Sequence, residues 1–155
     1  MKLRCFGALL LIFVMVLGGC SIKQKVKKML RVTTVVVSLE PVENVNDGVL
    51  LPVDIIAGDE QLASMVLGIG PDAWFVDPLR DRLSGEQIHK LAVSGEKVRE
   101  ISVNLSENTQ RIIIYVDYDR NNERMGQQVV INPESIGFSK TYNIRLGETK
   151  MEMLQ

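Results

Sequence analysis

Short runs of apolar and β-branched residues, some alternating with polar ones, recur along the body of this chain between polar turn segments, the pattern of strands. Residues 32–39 (VTTVVVSL) and 49–57 (VLLPVDIIA) are rich in β-branched side chains and predict the first two strands. Between them, Pro41 and the run Asn44-Val45-Asn46-Asp47-Gly48 supply turn chemistry, and Asp47-Gly48 suits the positive φ of a tight reversal. Pro52 belongs at an edge or where its strand begins. Further strands are predicted over residues 98–105, 111–118, 127–132 and 140–146, with a weaker one over 149–154. In the first of these, Arg99, Ile101, Val103 and Leu105 share one face, against Glu100, Ser102 and Asn104 on the other. Residues 88–93 (IHKLAV) admit two readings. Ser84 with Gln87 has capping-box spacing, which would start a helix, but the loose alternation favours a strand.

The period changes once. Leu62, Met65, Val66 and Ile69 fall on one face of a helix capped by Asp59 and ended by Gly70-Pro71, and that stripe is expected to be core. Asp77-Pro78 is a second helix start, leading into a short helix from Leu79 to Leu83. Between the two lies Trp74-Phe75, expected to lock the helical segment onto the sheet, with an exposed partner anchor as the alternative. Seven or eight short strands with one helical insertion between early strands predict a mainly β fold, a β-sandwich.

The N-terminus breaks the alternation altogether. Met1-Lys2-Leu3-Arg4 carries two cations, and residues 5–17 (CFGALLLIFVMVL) are apolar throughout. This is a secretory signal layout, too short for the roughly 20 residues of a membrane-spanning helix. It ends in Leu17-Gly18-Gly19-Cys20, which resembles the lipobox of bacterial lipoproteins. The resemblance implies cleavage after residue 19 and acylation of Cys20 on sulfur and on its new amino group, with fatty chains such as palmitate. A plain signal, or a short anchor with an incidental cysteine, is the alternative. Several acyl chains, at about 0.8 kcal/mol per buried methylene, would hold the protein firmly at a bilayer. Ser21 follows the cysteine where an inner-membrane retention signal would have aspartate, so the expected location is the periplasmic face of the outer membrane.

Charge divides the chain at the same place. Residues 21–31 contain Lys23, Lys25, Lys27, Lys28 and Arg31 and no acid, whereas residues 32–155 hold 11 cations against 19 acids. An acidic body does not suit a nucleic-acid binder, whose footprint is a basic face. The basic stretch reads as a solvated tether over residues 20–31, with contact to anionic head groups as the second reading. The domain proper is expected over residues 32–155. Cys5 and Cys20 are the only cysteines, so after processing no thiol is left for a disulfide, a zinc site or a nucleophile.

Candidate chemistry is sparse. Asp117, Asp119 and Asn121 have the one-three-five spacing of a calcium loop, but Asn122 stands where glycine is needed and Gln128 where a bidentate glutamate belongs. An acidic hairpin tip accounts for these residues more simply. His89 is the only histidine and no Gly-x-Ser-x-Gly elbow exists, so no hydrolase relay is legible. Asp54, Asp77 and Asp81 are carboxylates without a partner in the sequence pattern. The expectation is a non-enzyme with no catalytic residue, no metal and no cofactor beyond the lipid on Cys20.

Three stretches, taken with the lipobox, resemble the outer-membrane lipoproteins of type VI secretion systems (the TssJ or SciN type). They are Asn44 to Gly48 leading into Leu51-Pro52-Val53-Asp54-Ile55-Ile56, then Trp74-Phe75 with Leu79-Arg80-Asp81-Arg82-Leu83, and lastly Ile112-Ile113-Ile114-Tyr115-Val116-Asp117-Tyr118. The acidic Asp117–Asp119 tip departs from the family pattern, and the Trp-Phe element also fits a separate subgroup of secretion-associated lipoproteins. The resemblance implies a transthyretin-like sandwich that binds the periplasmic domain of an inner-membrane partner. It also implies contacts from the loop between the first two strands: Glu40, Glu43, Asn44, Asn46, Asp47 and Gly48. Two other classes share these features, a pilotin or assembly lipoprotein of another envelope complex, and a periplasmic ligand binder or enzyme.

Overall fold

The computed structural model describes residues 33–119, 124–133 and 140–154. Among them are eight strands: β1 (Thr34–Pro41), β2 (Leu51–Gly58), β3 (Ile88–Val93), β4 (Arg99–Asn104), β5 (Arg111–Val116), β6 (Gln128–Ile131), β7 (Thr141–Leu146) and β8 (Met151–Met153). Three short helices, α1 (Glu60–Ile69), α2 (Pro71–Trp74) and α3 (Pro78–Arg82), lie between β2 and β3. The strands form two four-stranded sheets, in the orders β4-β1-β7-β8 and β3-β2-β5-β6. All pairings are antiparallel except β1 with β7. The mainly β fold with a helical insertion is therefore as the hydrophobic pattern predicts.

Side-chain parity decides the layers. On β1, Val35, Val37 and Leu39 are buried, and their partners across the register include Val103 on β4 and Ile144 on β7. This is one apolar face over a polar one, as alternation requires. Strand β2 differs: Leu51, Val53, Ile55 and Ala57 are buried, and so are Asp54 and Ile56 between them. A strand buried on both faces needs cover on both, and the helices supply the second. Ile56, Ile88, Ile113 and Tyr115 share a cluster with Leu62, Ala63 and Val66 of α1 and Trp74 of α2.

The insertion is built by local signals. Asp59 caps α1, its carboxylate accepting from the Leu62 N–H at 2.9 Å. Gly70 ends it at φ 76°, and Pro71 opens the single turn α2, which the sequence pattern did not predict. Asp77 caps α3 through the Leu79 N–H at 2.7 Å. One expectation is corrected. Met65 is 46% exposed, because α1 is rolled so that Ala63, not Met65, sits with Leu62 and Val66 against the sheet. Residues 84–88 reconcile both readings of that stretch. The Gln87 side chain accepts from the Ser84 N–H, a capping-box contact, yet the chain makes one turn and continues as β3.

Candidate functional site

The register places four connections at one end of the sandwich. Pro41 at the end of β1 lies opposite Leu146 at the end of β7, Leu51 at the start of β2 opposite Val93 at the end of β3, and Val53 opposite Val116 at the end of β5. Residues 42–50, 94–98, 117–119 with 124–127, and 147–150 thus share this end. Thr33, where the described chain begins, is at the other, its carbonyl accepting from the Leu105 N–H at 2.7 Å.

The 42–50 connection is held in an uncommon backbone state. Asn46, Asp47 and Gly48 have φ of 51°, 55° and 78°, three left-handed residues in succession. Asparagine, aspartate and glycine are the residues that tolerate this best. Asn46 is the fastening point, 3% exposed and bonded through both backbone and side chain. Its backbone N–H donates to the Glu148 carbonyl at 3.2 Å and its carbonyl accepts from the Val49 N–H at 2.9 Å. The side-chain Oδ1 accepts from the Asp119 N–H at 2.9 Å, and Nδ2 makes a long contact to the Leu50 carbonyl at 3.5 Å. One residue, through its side chain and its backbone, thus ties three connections together. Buried Tyr118 adds a strut, its hydroxyl donating to the Gly147 carbonyl at 3.1 Å. Gly126 adds another, since a Cβ there would stand 2.6 Å from Lys150 Cβ.

What this end presents to solvent is acidic and apolar. Glu43, Asn44, Asp47 and Gly48 are exposed, Glu40 is half-buried, and Val49 and Leu50 are 51% and 59% exposed. Asp117, Asp119, Glu96 and Glu148 are also exposed here, against Lys97 and Lys150. Partial desolvation and the neighbouring Asp119 hold the Asp117 carboxyl above its ordinary range, with Arg80 opposing. Of the residues implied by resemblance, Asn46 alone is turned inward, as a fastener of the loop.

A second cluster was not legible as a pair in the sequence. Asp54, fully buried in β2, accepts from Trp74 Nε1 at 2.8 Å and from Arg80 Nε at 2.6 Å and Nη2 at 3.1 Å. Trp74 is itself fully buried and inclined 56° to Tyr115 at 5.8 Å between centroids, so it locks α2 onto the sheet and offers no surface anchor. Arg80 lies 5.4 Å over the Phe75 ring, and its bond to Asp54 raises its pKa further. The Tyr115 hydroxyl donates to the Val66 carbonyl, and burial pushes its pKa up to about 12. A carboxylate in this state is saturated with donors and held away from water, which suits docking and not proton transfer. The one sequence signal of it is a lone acid on an otherwise apolar strand.

The remaining candidates are dispersed. Asp77 is a cap, Asp81 pairs with Lys90 at 2.8 Å on the surface, and His89 is half-buried on β3. Asn121 and Asn122 of the calcium-like spacing lie outside the described residues, as does Cys20; Gln128 begins β6. Among the described residues no three metal-binding side chains gather. At the Thr33 end, a groove of about 380 Å³ runs between α1, α3 and the turn near Ser106, lined by Leu62, Met65, Leu79, Leu83 and Gln87.

No protein-family model and no curated protein matches the sequence. Solved structures match the fold. The type VI secretion lipoprotein TssJ1 of Pseudomonas aeruginosa superposes with a TM-score of 0.62 at 17% identity, over 79% of this chain and 95% of that one. Lip of Serratia marcescens, a membrane-bound component of the type VI secretion system, gives 0.62 at 8% identity over 80% and 98%. A chain in the structure of the C-terminal domain of the type VI protein TssM from EAEC gives 0.64 at 10% over 80% and 99%. The architecture is thus the fold of the type VI lipoproteins TssJ1 and Lip.

Proposed function

We propose that this protein is a type VI secretion lipoprotein that holds the periplasmic domain of an inner-membrane partner at the outer membrane. The observation that carries the reading is the fold shared with TssJ1 and Lip. The lipobox at Cys20 supports the lipoprotein role in particular, and a matching chain also occurs in the structure of the TssM C-terminal domain. In this reading residues 1–19 are the removed signal, Cys20 bears the lipid, residues 21–31 are the tether and residues 32–155 the binding domain. The protein is a non-catalytic scaffold, and its partner is a TssM-type protein.

The contact surface is the 42–50 connection with Glu40 at the end of β1, with Glu43, Asn44, Asp47 and Gly48 outward, Glu40 half-buried and Asn46 shaping it. Its position supports this assignment, since it lies at the end of the sandwich opposite the point where the tether joins. The tests are direct. Cys20→Ala is expected to abolish incorporation of labelled palmitate and release the protein from membranes; unchanged labelling would overturn the anchor. The mature lipoprotein in detergent is expected to bind the periplasmic domain of the TssM-type protein of its own bacterium. No binding at micromolar concentrations would remove the partner assignment.

A further inference from the structure

Of the features left over, the groove between α1 and α3 has nothing to indicate an occupant, and the Asp54 cluster is fully accounted for by docking the helices. The Asn46 junction is different, because it makes one rigid object out of segments far apart in sequence. We propose that the interaction surface is a platform of three connections, residues 43–50, 117–119 and 147–150, with Asn46 as the positioning residue that sets them in one plane of contact. This rests on the reading of the protein as a binding module and extends it beyond the first loop.

Three observations carry it. First, Asn46 bonds to Asp119 and Glu148 as well as to its own loop, so neither neighbour can move independently of residues 46–50. Secondly, Tyr118 to Gly147 and Gly126 against Lys150 join the second and third connections without Asn46. Thirdly, the outward chemistry is continuous across the three. Val49 and Leu50 are more than half exposed, with the acids Glu43, Asp47, Asp119 and Glu148 on the same three connections. An apolar pair among acids fits a protein surface with an apolar socket ringed by lysine or arginine, the apolar contact giving residence and the charges giving encounter rate. Three left-handed residues held in advance spare the partner the cost of ordering the loop.

The experiment is binding of the mature lipoprotein to the same partner domain, read as association and dissociation rates at low and moderate salt. Asp119→Lys and Glu148→Lys leave the backbone bonds intact and lie some 70 residues or more from the first loop. Each is expected to weaken binding about tenfold, chiefly through a slower association that salt reduces further. Leu50→Ser is expected to speed dissociation with little salt dependence. Asn46→Ala removes the acceptor and is strained at φ 51°, and is expected to slow association although Asn46 touches no partner; Asn46→Asp, which keeps the acceptor and tolerates the backbone, restores it. Thermal melts accompany each variant, and the two lysine variants decide the matter if Asn46→Ala fails to fold. If both lysine variants bind as wild type while Asp47→Lys does not, the surface is the first loop alone and the platform is refuted, with the function intact. If wild type itself does not bind, the function is refuted and the platform falls with it.

Discussion

At the scale of single residues, the molecule uses its few buried polar side chains as fasteners. Asp54 collects Trp74 and Arg80, and removing it strands an indole N–H and a guanidinium at the sheet surface. Asp54→Ala is therefore expected to cost about 3 kcal/mol in denaturant unfolding, because breaking a buried pair leaves an uncompensated partner. Arg80→Ala should cost at least as much, since it leaves the fully buried Asp54 carboxylate with only the Trp74 N–H, whereas Arg80 is partly exposed. Asp117 gives the pH prediction. Its native pKa is raised, so the folded protein binds a proton more readily than the unfolded chain and stability falls as pH rises through the carboxylate range. Asp117→Asn is expected to raise the melting temperature at neutral pH and to leave it unchanged in acid below that range. Neither role was visible in sequence. Asp54 and Arg80 are 26 positions apart, and only the pairing of β2 with helices folded back over it brings them together.

At the scale of elements, what was legible was what local chemistry dictates. The Asp59 and Asp77 caps, the Asn-Asp-Gly reversal and the period-two strands all follow from residues a few positions apart. Asp59→Ala should cost about 1 kcal/mol, the usual loss of an N-cap, measurable as a shift in denaturant midpoint. The face of α1 was less legible, because Met65 and Ala63 are equally compatible with a helical stripe. The Gly58 backbone at the end of β2 packs against Leu62, where a Cβ would stand 2.6 Å from Leu62 Cδ2, and such a contact has no periodic signature. The turn α2 went unpredicted for a similar reason. A single turn gives no period, and its helix is held by Trp74 reaching Asp54 rather than by propensity.

At the scale of the whole molecule, the sandwich was predictable from strand number, but its strand order was not. No sequence rule separates β1 from β2 into different sheets or sets β1 parallel to β7. That arrangement has a mechanical meaning. Strand β1, 8 residues and about 25 Å long, runs from the end where the described chain begins to the connection proposed to grip the partner, and it is hydrogen-bonded on both sides, to β4 and β7. A pull between two membranes would load this strand along its own axis, so that its bonds are sheared together and cannot be unzipped one at a time. Single-molecule stretching between residue 33 and residue 47 is accordingly expected to rupture at a higher force than stretching between residue 88 and residue 155, which peels edge strands. If the proposed function holds, this strand is a tie rod lying in the middle of a sheet.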